Sequence, residues 1–450
     1  MPFNSYLFLL GFLPLAVTVY WLLPAARGWR RAWLLACGCA FYAYGGRGYL
    51  LLLLAMTAVT FGAAQVMARA RRPSVRGLGL ALALSNLAVL AFFKYTTLRG
   101  GTLPLGVSFY TFNLLGYAFD VYWGRGAAES SPLRFASYAT FFPTISSGPL
   151  MRYEAFLGQE QAPRPEGHLE LGVFNIAMGL AKKLLIADAL GVVIDPLFGA
   201  YGALGFWGAW LAVLGYHFRV YFDFSGYTDI AIGVGYLLGM RLPPNFDAPY
   251  ASRSMTEFWQ RWHMSLSFWF RDYVFLPLAF WLRARDPSRH AGHARSVSLL
   301  VTMTLIGLWH GVTLPFVLWG AYQGLLLSAH AAARQAGRKP WPPIAGRLAT
   351  FAALMAGWVI LRSGTLEMAK RLYAAMLGLR GFEAGPLGVP GVHAWHLAVL
   401  GVLLILTNLR RDTSQLRPRP GWAFAAGVAA LLVIGLLSIG QPQPFLYFQF

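Results

Sequence analysis

The stretch IGLWHGVTLPFVLW, residues 306–319, places a histidine in the middle of a long apolar segment. From 296 to 333 the chain has no Asp, Glu, Lys or Arg, and two apolar runs, 297–314 and 316–333, make up most of this segment. A charge-free segment of this length is typical of helices in a lipid bilayer or in a deep protein core. His310 therefore lies where a polar side chain is costly.

The composition of the whole chain assigns that segment to a membrane protein. Of 450 residues, 57% are hydrophobic, 16% are aromatic and 12% are charged, whereas soluble proteins carry about 25% charged residues. The net charge of +20 comes largely from Lys and Arg in short loops between apolar runs, which is typical of cytoplasmic loops and not of a nucleic-acid surface. Cys37 and Cys39 lie inside an apolar run and are interpreted as core residues.

The apolar runs predict an all-α polytopic membrane protein with about 11 transmembrane helices, plus re-entrant or interfacial helices. Several runs are too short, or too broken by Gly and Pro, to cross a bilayer. Broken segments at membrane depth are allowed only where protein or water covers them, so we expect them to line a cavity. The prediction is a single membrane domain over residues 1–450, without a soluble domain.

Basic loops predict the orientation of these helices. Clusters of Arg and Lys follow the first and third apolar runs and recur at 283–295, 334–339 and 410–419. Because basic loops stay on the cytoplasmic side, both termini are expected on the extracytoplasmic side. Lys94 and Arg99 would then lie outside, which disagrees with this scheme.

The stretch 216–250 contains three charged residues among aromatic and aliphatic side chains, namely Arg219, Asp223 and Asp229. Charged side chains at membrane depth are costly unless they pair or face water. Arg219 and Asp223 are four residues apart, so on a helix they share a face and can neutralise each other. The alternatives are a buried structural ion pair and a direct role in ligand binding.

A second polar cluster lies at 254–278. If this stretch is helical, Glu257 and Arg261 pair across one turn. Arg271 and Asp272 are then expected to end the helix near a membrane interface.

His263 lies in the same stretch, among several aromatic residues. On a continuous helix it shares a face with Trp259 and Ser267. A histidine in this setting is more often a hydrogen-bonded core residue than a catalytic one, and both interpretations stay open.

His310 differs because it has no charged neighbour in the sequence. Gly307 and Gly311 flank it and permit close approach of a ligand or a backbone, and Trp309 supplies a flat wall. A histidine, with an ordinary pKa of about 6.5, can stay neutral in a dry site and still accept a proton. The residues alone leave two alternatives, a general base and a core histidine bonded to a carbonyl of another helix.

Familiar catalytic motifs are missing from the sequence. It contains no C-x-x-C pair, H-E-x-x-H, G-x-x-x-x-G-K-[ST] or G-x-S-x-G, which argues against zinc hydrolysis, nucleotide hydrolysis and serine-type acyl enzymes. Transfer from an activated thioester to a hydroxyl needs only positioning, removal of the hydroxyl proton and a donor to the oxyanion. Acyl transfer inside the membrane fits these requirements.

Long ordered stretches between about 100 and 325 resemble the membrane-bound O-acyltransferases, in particular the bacterial branch of alginate O-acetyltransferases and teichoic-acid D-alanyl transfer proteins. The similar stretches are LPLGVSFYTFNLLGYAFDVYWG (103–124), FASYATFFPTISSGPLMRY (135–153), GLAKKLLIADAL (179–190), YFDFSGYTDIAIGVGYLLGMRLPPNFDAPY (221–250), EFWQRWHMSLSFWFRDYVFLPL (257–278) and GLWHGVTLPFVLWGAYQG (307–324).

This resemblance implies a fold and two site residues. The fold is a ring of helices around a thinned centre with a central tunnel, in which 100–325 forms the catalytic core, with peripheral spans at 1–99 and 326–440. His310 matches the catalytic histidine of the family and His263 its second polar position, on opposite sides of the tunnel.

The resemblance also implies that the acyl donor enters from the cytoplasm and the acceptor from the other face. Lys182 and Lys183, with the basic loops, could attract a polyanionic acyl-CoA. The alternative is that these cations only set the topology. We expect no bound cofactor and no metal, with acetyl-CoA or another acyl thioester as donor substrate.

The last residues, FLYFQF, form an aromatic tail within 441–450. One interpretation is an extracytoplasmic interfacial anchor. The tail also resembles an aromatic motif of this branch whose tyrosine is thought to relay the acyl group. By that resemblance Tyr447 would receive the acyl group near His310 and pass it to an extracytoplasmic transferase.

The predicted protein is therefore an O-acyltransferase of a bacterial inner membrane, which acts with a periplasmic acyltransferase partner in O-acetylation of a polysaccharide such as alginate. The alternatives are D-alanyl transfer to a cell-wall polymer, a transporter or lipid translocator, and a silent scaffold for a periplasmic enzyme. A transporter would leave His310 without a role.

Overall fold

The computed structural model describes residues 1–25, 28–69, 72–163, 165–285, 291–382, 393, 395–408, 412–416, 421–440 and 445–446. Every regular element in these ranges is a helix, which confirms the predicted all-α class. In chain order the α-helices are α1 (Leu13–Leu22), α2 (Trp29–Ala43), α3 (Arg47–Arg69), α4 (Arg72–Thr97), α5 (Val107–Trp123), α6 (Pro132–Ala139), α7 (Phe142–Ile145), α8 (Tyr153–Phe156), α9 (His168–Leu180), α10 (Asp188–Gly199), α11 (Phe206–Leu237), α12 (Met255–Trp259), α13 (Met264–Phe270), α14 (Leu276–Arg285), α15 (Ala291–His310), α16 (Leu314–Gln335), α17 (Pro343–Arg362), α18 (Leu366–Met376), α19 (Trp395–Asn408) and α20 (Trp422–Leu437).

Shorter helical segments join some of these helices. Wider π-helical turns cover Leu7–Phe12, Ala181–Ala187 and Arg271–Phe275, and each continues directly into the next α-helix. Single 3₁₀ turns lie at Gln159–Gln161, Pro249–Ala251 and Thr413–Gln415. Wider turns of this kind are frequent at functional sites, and one of them carries both predicted donor-binding lysines.

The first compact unit comprises Met1–Ala181, Gly226–Pro244 and Arg417–Gln449. Helices α3, α4 and α5 pack on one another, and α9 packs on α20. Its core contains a cluster of aromatic rings, in which Phe8, Phe41 and Phe142 lie within about 6.4 Å of one another. Such clusters bury large apolar areas and stabilise the unit.

The second compact unit comprises Lys182–Ser225 and Asn245–Leu416. The antiparallel hairpin of α15 and α16 is its most extensive helix pair, α14 packs on α15 and α17 packs on α16. This hairpin is formed by the charge-free segment of the sequence, so the two apolar runs predicted there are confirmed as two helices. The second unit also contains both predicted catalytic histidines.

Helix α11 differs from the pattern of apolar runs. Polar residues at 223 and 225 interrupt the apolar sequence, but one helix of 32 residues extends across them from Phe206 to Leu237. Gly226 lies inside this helix, where its carbonyl oxygen would be 2.5 Å from a Cβ on Gly179 of α9. Close packing of two helices therefore accounts for a glycine that reads as a break in the sequence.

Three helices of the described ranges are long and apolar enough to cross a bilayer, namely Arg47–Arg69, Gly77–Thr97 and Pro343–Arg362. Leu7–Leu22 and Trp422–Leu437 are apolar but shorter. A helix that carries several charged residues, as α11 does, is less apolar than its length suggests. The count of about 11 transmembrane helices and the boundaries of a single membrane domain stay predictions.

Candidate active site

The hairpin of α15, which ends at His310, and α16 has glycines at the contact between its two helices. A Cβ on Gly307 would lie 2.2 Å from the carbonyl oxygen of Phe316, and one on Gly320 would lie 2.4 Å from that of Met303. A Cβ on Gly311 would lie 2.2 Å from the ring of Phe316. The predicted close approach at Gly307 and Gly311 is confirmed, and what approaches them is α16.

We expect Gly307→Ala to destabilise the protein by about 3 kcal/mol or more, because its methyl group would overlap a backbone oxygen that cannot move alone. Gly62→Ala in α3 is the matched control, since no atom lies within 4 Å of the added methyl group. The measurement is the thermal unfolding temperature of each purified variant in detergent. Equal unfolding temperatures for the two variants would contradict the close packing of α15 on α16.

His310 is the last residue of α15, and its side chain is buried. Its ring centroid lies 4.8 Å from that of Trp309 and 5.4 Å from that of Trp319, both in edge-on geometry. The wall predicted for Trp309 is thus present, and α16 adds a second one that the sequence analysis missed. The two indoles surround the imidazole with apolar surface, which keeps bulk water away from it.

His263 has an unusual backbone conformation. It precedes α13 with φ 45° and ψ 50°, in the left-handed region that residues other than glycine seldom adopt. The stretch is not one continuous helix, because α12 ends at Trp259 and α13 begins at Met264, so the conditional shared face of Trp259 and His263 does not form. Backbone strain of this kind persists where the surroundings enforce it, often at functional sites.

Asn245 holds the segment after His263 in place. Its carbonyl oxygen accepts a hydrogen bond from the Met264 N–H at 2.9 Å, and its Oδ1 accepts bonds from the Ser265 N–H at 3.2 Å and from Ser265 Oγ at 2.6 Å. These bonds fix the start of α13 and hence the direction of the His263 side chain. This role was not predicted, because the sequence offers only an Asn after two prolines as a local signal.

The two histidines meet at one tryptophan. The ring centroid of His263, whose side chain is 1% exposed, lies 6.2 Å from that of Trp309 and 4.6 Å from that of Phe224. Trp309 also lies 4.8 Å from His310, so both imidazoles approach the same indole ring. A neutral imidazole can accept or donate one proton, so this pair can serve both as a base and as a donor.

Other predicted residues of the 254–278 stretch have ordinary structural partners. Glu257 and Arg261 form the predicted ion pair across one turn, with Oε1 and Nη2 3.1 Å apart. Ser267 donates a hydrogen bond to the Trp262 carbonyl oxygen at 3.2 Å. These contacts shape the turn that carries His263.

Helix α13 ends at Phe270, directly before the predicted helix end at Arg271 and Asp272, but a wide helical turn follows it. These residues pair with each other, with Nε and Oδ1 2.6 Å apart, inside a wide turn that leads straight into α14. The predicted position of these two residues near a membrane interface stays a prediction.

The predicted pair of Arg219 and Asp223 is replaced by two other pairs. Arg219 Nη1 lies 2.6 Å from Asp195 Oδ1 of α10, and Asp223 Oδ1 lies 2.7 Å from Lys183 Nζ. Both residues belong to α11, but each reaches a partner on another segment of the second unit. Asp229 lies further along the same helix, in the first unit, and is buried there.

The two lysines predicted to bind the donor lie in buried ion pairs. Lys183, 1% exposed, also has Asp188 Oδ1 at 2.8 Å, and Lys182 Nζ lies 3.4 Å from Asp412 Oδ1. An acyl-CoA polyanion would have to compete with these carboxylates for either lysine. Donor binding by these lysines stays a prediction.

Asp412 is a structural centre that the sequence analysis missed. Its Oδ2 accepts hydrogen bonds from the Tyr221 hydroxyl at 3.1 Å and from the Ala248 N–H at 3.3 Å. Ala248 has a positive φ of 45°, so Asp412 fixes a second unusual backbone position of this unit. The isolated Asp after a basic run gave no signal of these contacts.

The aromatic tail is described only at Phe445 and Leu446, and Tyr447 lies outside the described residues. Both described side chains are buried in the first unit, where the Phe445 ring lies 4.6 Å from that of Tyr227, edge-on. The Tyr227 hydroxyl in turn accepts a hydrogen bond from the Ser147 N–H at 3.3 Å. These two residues pack inside protein, whereas an interfacial anchor would expose its aromatic side chains to lipid headgroups.

Comparison with known proteins now decides the family. The profile of the membrane-bound O-acyltransferase (MBOAT) family matches residues 127–360, which include both histidines and the hairpin. The chain belongs to this family. An acyltransferase assignment replaces the transporter alternative.

Relatives of this MBOAT protein differ in the acceptors that their names state. A probable alginate O-acetylase of Pseudomonas putida is 32% identical over the whole of both chains. A peptidoglycan O-acetyltransferase of Helicobacter pylori is 31% identical over 100% of this chain and 97% of its own. A teichoic acid D-alanyltransferase of Bacillus subtilis is 35% identical over 50% of this chain and 58% of its own.

Proposed function

We propose that this MBOAT protein moves an acetyl group from a cytoplasmic thioester, acetyl-CoA, to a hydroxyl acceptor for O-acetylation of a surface or secreted polysaccharide such as alginate. The observation that carries this proposal is the pair His263 and His310 on Trp309, buried in apolar surroundings. Similarity to O-acetylating relatives over the full chain supports acetyl as the acyl group.

In the proposed reaction, neutral His310 removes the proton of the acceptor hydroxyl. At the same time the hydroxyl oxygen attacks the carbonyl carbon of the thioester. The carbon–oxygen bond forms, the tetrahedral intermediate collapses and the carbon–sulfur bond breaks. The protonated His310 then returns its proton to the departing thiolate, so the products are an ester and a free thiol. No metal or redox partner enters this balance.

His263 is proposed to donate its ring N–H to the oxygen of the tetrahedral intermediate. A donor held in advance by the protein stabilises the developing negative charge without reorganisation during the reaction. The strained backbone of His263 and the hydrogen bonds of Asn245 next to it support such a fixed position. His310 and His263 would therefore have different roles on the same substrate.

The first acceptor is proposed to be Tyr447, which passes the acetyl group to a periplasmic transferase. Phe445 and Leu446, which precede this tyrosine in the chain, are buried in the protein, and this burial supports a docked tail. The proposed location is a bacterial inner membrane, with both termini on the extracytoplasmic side, as the basic loops predict.

Labelled acetyl is expected to accumulate as a hydroxylamine-sensitive ester on Tyr447 when the protein receives acetyl-CoA without a periplasmic partner. Tyr447→Phe should abolish this label, because the variant lacks the phenol oxygen and keeps the ring. Tyr95→Phe, at an exposed tyrosine of α4, is the matched control and should keep the label. Unchanged polysaccharide acetylation by Tyr447→Phe would disprove the relay.

D-alanyl transfer is the second candidate, because D-alanyltransferases are similar to half of the chain or more. The deciding experiment offers proteoliposomes either labelled acetyl-CoA or a D-alanyl thioester on a carrier protein. Acetyl transfer alone supports the proposal. D-alanyl transfer alone replaces it, and failure of both donors with a periplasmic partner present would favour a scaffold that recruits another enzyme.

A further inference from the structure

A large cavity of the second unit lies at the end of the helical hairpin opposite to His310. Its volume is about 860 Å³, and residues of α12, α15, α16, α17 and the segment between α16 and α17 line it. Arg295 marks its position on α15, fifteen residues before His310, which corresponds to about 22 Å along a helix. The cavity is therefore separate from the proposed catalytic site.

The charge of this cavity is strongly positive. Its single acidic residue, Glu257, already pairs with Arg261 at 3.1 Å and accepts the Arg253 N–H at 2.8 Å. Among the residues that the structure describes, no carboxylate pairs with any of the five cations that line the cavity. These cations are Arg253, Arg295, Arg334, Arg338 and Lys339.

The remaining wall of the cavity is apolar and leads onto the surface of a membrane span. Small and aliphatic side chains of α16 and α17 form this wall, and Trp341, 65% exposed, lies at its edge. From there Ile344 and Leu348, 74% and 65% exposed, follow one turn apart on α17. Helix α17 is one of the helices apolar enough to cross a bilayer, and Ile344 and Leu348 form an exposed apolar stripe on it.

We propose that this cavity binds the headgroup of an anionic phospholipid. The phosphate would lie among the arginines, and the acyl chains would follow the stripe of Ile344 and Leu348 into the bilayer. Basic pockets between membrane helices bind such headgroups, and an aromatic side chain at the rim is typical of the membrane interface. A soluble phosphate compound would leave the apolar stripe without a function, whereas a lipid uses both parts.

The headgroup would connect three segments of the second unit. Arg295 and Arg334 belong to the hairpin that carries His310, Arg253 precedes the turn that carries His263, and α17 supplies the apolar stripe. A ligand that binds only the folded protein stabilises it. Anionic lipid is therefore expected to raise the thermal stability of the protein, without any need for acyl transfer.

The test measures thermal unfolding of the purified full chain in neutral detergent with added phosphatidylglycerol or phosphatidylcholine. We expect phosphatidylglycerol alone to raise the unfolding temperature, with an apparent affinity that falls as salt screens the charges. Arg334→Gln combined with Arg338→Gln should weaken that affinity about tenfold, since each cation near an anionic headgroup contributes to binding. Arg283→Gln combined with Arg285→Gln removes the same charge from exposed side chains of α14. This control variant should keep the normal affinity for phosphatidylglycerol.

Coenzyme A and inorganic phosphate form separate arms of the same experiment. Stabilisation by coenzyme A, with none by phosphatidylglycerol, would replace the lipid by a soluble phosphate ligand. Equal responses of the two double variants to phosphatidylglycerol would overturn the site. If the cavity variant does not fold, Arg338→Gln alone, in the exposed segment after α16, provides the same comparison.

Discussion

Replacement of His310 by alanine is expected to lower acetyl transfer by proteoliposomes at least about a hundredfold, which is the usual contribution of a general base. The imidazole lies between Trp309 and Trp319 at the end of α15, and alanine offers no group that can accept the acceptor proton. The expected loss is in kcat, with little change in the KM for acetyl-CoA, because the base acts in the transition state and not in donor binding.

The control for this variant is His293→Ala, which alters an exposed histidine in the first turn of the same helix. It should transfer acetyl at the normal rate, and both variants should insert into membranes and unfold at similar temperatures. If His310→Ala transfers normally, the histidine is structural and His263 becomes the candidate base. If His310→Ala and His263→Ala both transfer normally, the protein is a scaffold and the proposed chemistry is wrong.

The hairpin around His310 was predictable from the sequence because its signal is local. A segment without charge that is divided at a Gly-Val-Thr turn can form two helices. The glycines beside His310 predict a close contact. The structure confirms the helices, the contact and the indole of Trp309. Only the second indole, Trp319, comes from the facing helix, and nothing next to His310 in the sequence points to it.

The turn at His263 was not predictable, because its cause lies elsewhere in the chain. The sequence around it contains no Gly or Pro, so no local residue type predicts a break in the helix at this position. Asn245 captures the N–H groups that follow, and the chain accepts a left-handed conformation at a histidine. A tertiary hydrogen bond thus overrides the local preference.

The prediction of ion-pair partners was wrong for a related reason. Spacing along one helix suggested that Arg219 pairs with Asp223, but helix spacing reports only the neighbours on the same helix. The shorter distances are to Asp195 and Lys183, which other segments bring close. Lys183 shows the same effect, because its carboxylate partners Asp188 and Asp223 could not be inferred from helix spacing.

Lys183→Met is expected to destabilise the protein by about 3–5 kcal/mol, the usual effect of breaking a buried ion pair. The change removes the cation shared by Asp223 and Asp188, whose carboxylates lie 2.7 Å and 2.8 Å from Nζ. The Asp223 side chain is almost fully buried, so water cannot replace the lysine. Thermal unfolding in detergent and the yield of inserted protein measure the effect. Lys370→Met, at an exposed lysine of α18, is the matched control. It should keep the normal unfolding temperature and the normal yield of inserted protein.

Combining Lys183→Met with Asp223→Leu separates a structural role from donor binding. The double variant removes both members of the fully buried pair, and the remaining Asp188, whose side chain is 18% exposed, can reach water, so much of the lost stability should be recovered. If Lys183 only neutralises carboxylates, the recovered protein has an ordinary KM for acetyl-CoA, which is the result we expect from the two short ion pairs. A stable double variant with a KM raised about tenfold would instead place the acyl-CoA phosphates at this lysine. Normal stability of the single variant would contradict the ion pair itself.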